Sequence, residues 1–442
     1  MHLSLYDLNI IQTVLLFIIL YVLVKKRLWL ILRRTINVCI HGLSKLVPKS
    51  KKLIVFGGEN GMGFKGNPKY LFLELVKIPS LHCVWIAKHP SVVKELNDLG
   101  FEAYLHRSLK GYYYQLRAKL AIHSHALNDD FKNQLMGGVI SYNTWHGVGL
   151  KKVWGENKKT FTYKVIHDPN PIRRFFGMLV VKTNMGKKNY VVSTSKRVSS
   201  YYPSTFVVKK ENVLELGQVR NDIFFKETDE DQLIPEWYRK NKVILYMPTH
   251  RNKGKLDKDI NEVLDFEKIN QLCHNLGCKF VIKMHLYSSG YVPKEFEHIV
   301  DISKEPYDPQ FLLKYADMLI TDYSSCYTDY LMLDRPVIFY CYDLSEYLST
   351  SNEMYYNYYE VTPGPKVKTH DELIESIKEG FAHHHETYKK DRQRVLNIFY
   401  SIDNQRPVLE KQLKFILNDL LKLEVDDYKE GVRENRKHQN IV

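Results

Sequence analysis

The sequence predicts an α/β protein of two Rossmann-like halves facing one cleft, with an apolar helix ahead of them. Three observations carry this. Short apolar runs alternate with amphipathic stretches along most of the 442 residues, the pattern of parallel strands joined by crossover helices. Several of these runs end on histidine, hydroxyl or carboxylate residues, and ligands in open parallel sheets sit at the carboxyl ends of strands. A chain of this length with 44% hydrophobic residues can also bury two cores.

The first element differs from the rest. Ile10-Ile11 and Val14–Val24 form an apolar run closed by Lys25-Lys26-Arg27, after which Leu28–Leu32 leads to Arg33-Arg34. Residues 1–46 therefore read as a membrane-seeking helix with its basic flank. The apolar part falls short of the ~20 residues of an upright span, so a thin span and a deeply seated interfacial helix both satisfy it. Basic residues following the apolar run place the body on the cytoplasmic side of the cell membrane. A cleaved signal would carry them in front.

Residues 47–216 form the first half. Val47–Lys52 bridges to a strand at Leu53–Phe56, followed by strands at Cys83–Ala87, Ala103–Leu105, Leu120–Ser124 and Gly138–Tyr142, with a helix over Ser91–Leu99. The loop Gly57–Gly63 departs from dinucleotide-binding spacing and reads as a flexible strand-to-helix connection. Lys158–Lys188 has poor periodicity, which suits either a mobile acceptor-binding excursion or a solvated face. Tyr190–Ser193 is the last strand before a crossover near Leu216-Gly217. Residues 217–423 form the second half, with strands at Val243–Leu245, Lys279–His285, Met318–Ile320 and Pro336–Tyr340. The charged stretch 424–442 reads as a frayed tail. Two Rossmann-like halves across a cleft make the GT-B arrangement.

The formal charge of +14 draws anions to the surface. No nucleic-acid-binding motif accompanies it, and the Lys and Arg residues are spread out, so nucleic acid is not an expected partner. Cys39, Cys83, Cys273, Cys278, Cys326 and Cys341 lack the spacing of a zinc site and read as free thiols. His383-His384-His385 reads as a solvent-facing cluster.

Chemistry concentrates at four strand ends. After Met318–Ile320, Thr321, Asp322, Ser324 and Ser325 crowd hydroxyls, a carboxylate and backbone N–H groups at a helix start, which suits an anion; an ordinary capping turn uses the same residues. Asn143–Lys152 sets His146 between Trp145 and Gly147, Thr249 and Arg251 follow Val243–Leu245, and Lys283 and His285 close another strand. Loops at these ends converge on one cleft.

Trp145-His146-Gly147 with Leu150-Lys151-Lys152, Pro248-Thr249-x-Arg251, Lys283-Met284-His285, Thr321–Ser325 with Arg335-Pro336, and Gly217–Asp222 together resemble the CDP-glycerol glycerophosphotransferase family of teichoic acid and capsule polymer enzymes. The similarity runs from about Leu53 to about Phe381. Val148-Gly149, His250 and Val219 depart from its usual residues. The resemblance implies the GT-B fold and transfer of glycerol phosphate from CDP-glycerol to a lipid-linked or polymeric acceptor at the membrane phospholipid surface, with CMP released. CDP-ribitol as donor and a nucleotide-sugar glycosyltransferase are the alternatives. His146 is the expected base and His285 the group meeting the leaving phosphate. Thr249, Arg251, Lys283, Thr321, Asp322, Ser324 and Ser325 are expected on the donor. Trp145, Gly147, Lys151, Arg220 and Asn221 are expected on the acceptor or at the domain junction. No carboxylate cluster marks a metal cage, so cationic side chains are expected to neutralise charge, with Mg2+ left open as a cofactor.

Overall fold

A computed structural model describes residues 5–249, 259–284, 292, 295–350 and 353–423. His285, Arg251 and the tail from 424 lie outside the described residues, as do the side chains of His383–His385.

Two parallel sheets form the frame. The first contains β1 (Ser50–Phe56), β2 (His82–Ala87), β3 (Ala103–Leu105), β4 (Ala118–His123), β5 (Ile140–Asn143), β6 (Lys188–Ser193) and β7 (Val213–Glu215) in the order β3-β2-β1-β4-β5-β6-β7. The second contains β8 (Lys242–Tyr246), β9 (Cys278–Ile282), β10 (Ile299–Asp301), β11 (Met318–Thr321), β12 (Val337–Tyr340) and β13 (Lys366–Val367) in the order β10-β9-β8-β11-β12-β13. The central strands are apolar on both faces because helices cover both. Ile54, Val55 and Phe56 in β1, and Leu319 and Ile320 in β11, are fully buried.

Each sheet reverses its strand order once, between β1 and β4 in the first and between β8 and β11 in the second. Such reversals open a crevice at the carboxyl ends of the two strands. Both crevices belong to one cleft, since loops from the two sheets line a shared cavity.

Three features bear on the sequence expectations. A helix spans Leu5–Ser44, and among the described residues no helix is long and apolar enough to cross a membrane. The basic groups from Lys25 onward interrupt the apolar run before it reaches bilayer length. The end of this helix is fastened to the first half: the His41 imidazole bonds the Asn133 carbonyl at 3.0 Å through Nδ1, and Ser44 Oγ accepts from Gly137 N at 2.9 Å. Secondly, 158–188 contains two helices, Phe161–Ile166 and Pro171–Lys182. Thr160 and Asn170 cap them, an N-cap signal stronger than the weak periodicity. Thirdly, Val408, Leu413, Ile416, Leu417 and Leu420 pack into the core of the first half, so the chain returns there after completing the second sheet.

Candidate active site

A cavity of about 420 Å³ lies between the sheets, lined by Trp145, His146, Gly147 and Lys151 from the first half and Thr249, Ser324 and Ser325 from the second. Seven of the expected site residues thus meet in one space.

His146 sits in the loop after β5. Its Nδ1 is 2.8 Å from the Ser124 carbonyl, which can only accept, so Nδ1 carries the proton and Nε2 keeps its lone pair. The ring stacks on His125 with centroids 4.2 Å apart and leans on Trp145 at 4.0 Å. It opens to the cleft, yet desolvation by these walls, with the Arg220 cation, holds its pKa below the ordinary 6.5. The His146 imidazole is therefore neutral at neutral pH. Ser124 is itself fixed, because Asp130 Oδ2 accepts from Ser124 N at 3.2 Å and from His125 N at 3.1 Å.

The backbone around His146 is bent sharply. Trp145 has φ +55° and Gly147 φ +138°, and a Cβ on Gly147 would stand 2.8 Å from Arg220 Nη2. Glycine is required there for both conformation and space. The Trp145 ring packs edge-on against Trp154 and Phe206 at 5.5 and 4.8 Å, forming an apolar wall.

On the facing wall, β11 ends in a tight turn. Asp322 Oδ1 accepts from Thr249 N at 2.8 Å and from Tyr323 N at 2.5 Å, which locks the β8 loop to the β11 loop. Thr321 Oγ1 donates to the Met247 carbonyl at 2.7 Å. Thr321 and Asp322 are both buried, and these bonds shape the turn that presents Ser324 and Ser325 to the cavity. Lys151 lies over the Tyr347 ring at 5.1 Å.

Lys283, Arg220 and Asn221 are placed elsewhere. The Lys283 ammonium donates to the carbonyls of Ile302, Ser303 and Glu305 at 3.1, 3.4 and 2.6 Å. Arg220 donates to the His146 carbonyl at 2.8 Å and pairs with Asp329. Asn221 donates to the same Asp329 carboxylate at 3.1 Å, and Tyr400 also bonds it. Asn67 completes the junction, accepting from Arg220 N at 3.0 Å and donating to the Trp145 carbonyl at 2.9 Å. This buried network ties the helix after Ser325 to the loop carrying His146. Sequence reading missed Asn67, His125, Asp329 and Tyr400. His125 alone left a local signal, because it follows a strand ending on His123 and Ser124.

Among the described residues, no group of three or more His, Cys, Asp or Glu is placed to hold a metal ion.

A cleft with a neutral imidazole on one wall and a hydroxyl-bearing turn at a strand end on the other is the layout of a two-sheet group transferase. The chain belongs to the CDP-glycerol:poly(glycerophosphate) glycerophosphotransferase family, whose profile matches residues 41–411. It is 29% identical over 362 residues to a teichoic acid poly(glycerol phosphate) polymerase of Bacillus spizizenii, covering 78% of this chain and 86% of that one. It is 26% identical over 363 residues to a teichoic acid glycerol-phosphate transferase of Staphylococcus aureus, covering 79% and 89%. A poly(ribitol-phosphate) polymerase of Bacillus spizizenii matches at 27% identity over 403 residues, with this chain spanning 60% of its length. In fold, the chain is similar to the wall teichoic acid polymerase TagF, with TM-score 0.67, 24% identity and coverage of 89% of this chain and 95% of that one.

Proposed function

We propose that this chain transfers glycerol phosphate from CDP-glycerol to a hydroxyl of a lipid-linked or polymeric acceptor, releasing CMP, in teichoic acid-type polymer synthesis, with His146 as general base. The observation that carries the base assignment is the fixed tautomer of His146, which leaves Nε2 as a proton acceptor in the cavity holding Ser324 and Ser325. The acceptor oxygen attacks the phosphorus nearer the glycerol, the bond from that phosphorus to the CMP oxygen breaks, and Nε2 takes the hydroxyl proton. Ser324, Ser325 and the neighbouring backbone N–H groups hold the diphosphate. Arg251 and His285 are assigned to the leaving phosphate from sequence resemblance. The Lys283 ammonium is held by three carbonyls outside that cavity's lining.

The two sheets are read as the GT-B arrangement, acceptor half first and donor half second, which the strand orders and the shared cleft support. Membrane association on the cytoplasmic side belongs to the same proposal. Leu28, Trp29, Ile31 and Leu32 are exposed on the N-terminal helix beside Arg33 and Arg34. The adjoining helix Pro171–Lys182 exposes Ile172, Phe175 and Phe176 next to Arg173 and Arg174. Apolar groups flanked by cations suit a helix lying in an anionic lipid interface.

The test is CMP release from CDP-glycerol and, separately, CDP-ribitol by full-length protein with a lipid-linked acceptor analogue. Release from CDP-glycerol that collapses in His146→Ala supports the reading. Release from neither donor, with several acceptors and folded protein, overturns it.

A further inference from the structure

A second cavity, about 620 Å³, opens on the same carboxyl edge of the first sheet. Lys88 comes directly from the end of β2, Arg107 from the end of β3, Lys132 from the segment beyond β4, and Arg33 and Arg34 from the N-terminal helix. Five cations thus line one space, and no carboxylate lines it. Among the described residues none of the five forms an ion pair. Lys88 Nζ donates to the Asp129 carbonyl, and Arg34 lies over the Phe161 ring at 4.3 Å. The Asp129 carboxylate accepts from Ala126 N and Asn128 Nδ2 and faces the neighbouring cavity.

His106 belongs to the same lining and is 9% exposed, and its Nδ1, without a partner among the described residues, is closed off from the open space. The cations also act on their neighbours: desolvation first, then Lys132, Arg107 and Lys88, lower the His106 pKa to about 4. Desolvation, with Arg107, Arg33 and Lys88, also lowers that of Lys132. A bound anion would relieve this crowding.

The cavity lies near the active site, with the Phe206 ring as part of the partition between them. An intervening cavity of about 260 Å³ shares Asn128, Phe161 and Asn184 with it and shares Phe206 with the site around His146. Its outer rim is the basic stretch of the exposed N-terminal helix.

We propose that this cavity is a second anion site, holding a diphosphate or phosphodiester group of the acceptor while the acceptor hydroxyl reaches His146. The inference rests on the transfer reading for the identity of the acceptor. Planar guanidinium groups suit phosphate oxygens, and the apolar Phe131 and Val180 in the wall fit the adjoining chain.

The test uses full-length protein without donor, titrated calorimetrically with geranyl diphosphate, with a glycerol phosphate trimer, and with phosphatidylglycerol vesicles. Arg107→Ala/Lys132→Ala should weaken one of the two soluble probes by roughly tenfold or more, because charge-assisted bonds are lost. The charge-conserving Arg107→Lys/Lys132→Arg should recover most of the affinity lost in the alanine variant, because the summed charge is kept, without reaching wild type, because the position of the guanidinium fork has moved. A response to geranyl diphosphate assigns the group to a lipid diphosphate; a response to the trimer assigns it to the polymer backbone. If neither soluble probe responds to the alanine variant, including the case where only vesicle binding falls, the proposal is overturned. CMP release measured on the same preparations separates the readings: intact probe binding without CMP release defeats the transfer reading, whereas CMP release with unaltered probe binding defeats this site.

Discussion

The two sheets run through the same strand order, yet their carboxyl edges carry different chemistry. At the first edge, His123, His125 and His146 cluster near aromatic rings, and desolvation holds all three neutral at neutral pH. At the second, a carboxylate locks a turn that presents the Ser324 and Ser325 residues to the cavity. In the proposed reaction one wall accepts a proton and the other holds negative charge. The same scaffold thus supplies two half-sites, and the junction of Asn67, Arg220 and Asp329 sets their separation.

That division can be broken most severely from the first wall. His146→Ala should lower kcat by ~10²–10⁴-fold, the usual loss for a general base; a CMP-release assay showing only a small change would move proton transfer to another group. Attacking the junction comes next. Asp329→Ala strands the buried Arg220 cation and should reduce unfolding free energy by roughly 3–5 kcal/mol in urea titrations. If stability is unchanged, the two walls are held apart by something else.

The second wall should respond in binding more than in chemistry. Ser324→Ala/Ser325→Ala removes hydroxyls worth about 1.5–3 kcal/mol each against a charged oxygen, so the KM for CDP-glycerol should rise while the acid limb of the pH profile stays in place. In the proposed mechanism that limb reports His146. Because its pKa is lowered in the fold, kcat/KM should persist below pH 6.5 and fall only as the imidazole gains its proton; a limb above 6.5 would contradict the burial argument. The smallest effect concerns Asp130. Burial raises its pKa from 3.8 to about 7, so the folded chain retains a proton that the unfolded chain releases in that window. Stability contributed by this group is greatest at low pH and declines as pH rises from 3.8 to 7. Asp130→Asn should flatten that decline in the pH dependence of the melting temperature.

Much of this was legible in the residues themselves. Runs such as Ala103–Leu105 and Met318–Ile320 announced strands because their apolar side chains are consecutive and bounded by polar turns. His146, Thr249, Ser324 and Ser325 were legible because each ends a strand in a sheet type that binds ligands there. The junction was legible only in part. Arg220 and Asn221 were expected there or on the acceptor, whereas Asn67, Asp329 and Tyr400 come from widely separated parts of the chain, and a buried polar network formed by tertiary packing leaves no local spacing. The same reason hid the cations of the second cavity, which arrive singly from different strand ends. The shared strand order of the two sheets was equally invisible, since strand order depends on crossovers and not on repeated residues.

The return of the chain at Val408 has a consequence for how the protein is made. Asp222 accepts from Val408 N at 2.9 Å and Leu409 N at 2.9 Å, and the residues just beyond complete the apolar packing of the first half. During synthesis the strands of that half emerge before those of the second, but its covering helix emerges after both sheets. Until the ribosome has delivered it, a strip of apolar side chains stays open to chaperones or to other nascent chains. A stop codon shortly before Val408 should therefore spoil the half that was translated earliest and leave the later one more nearly intact.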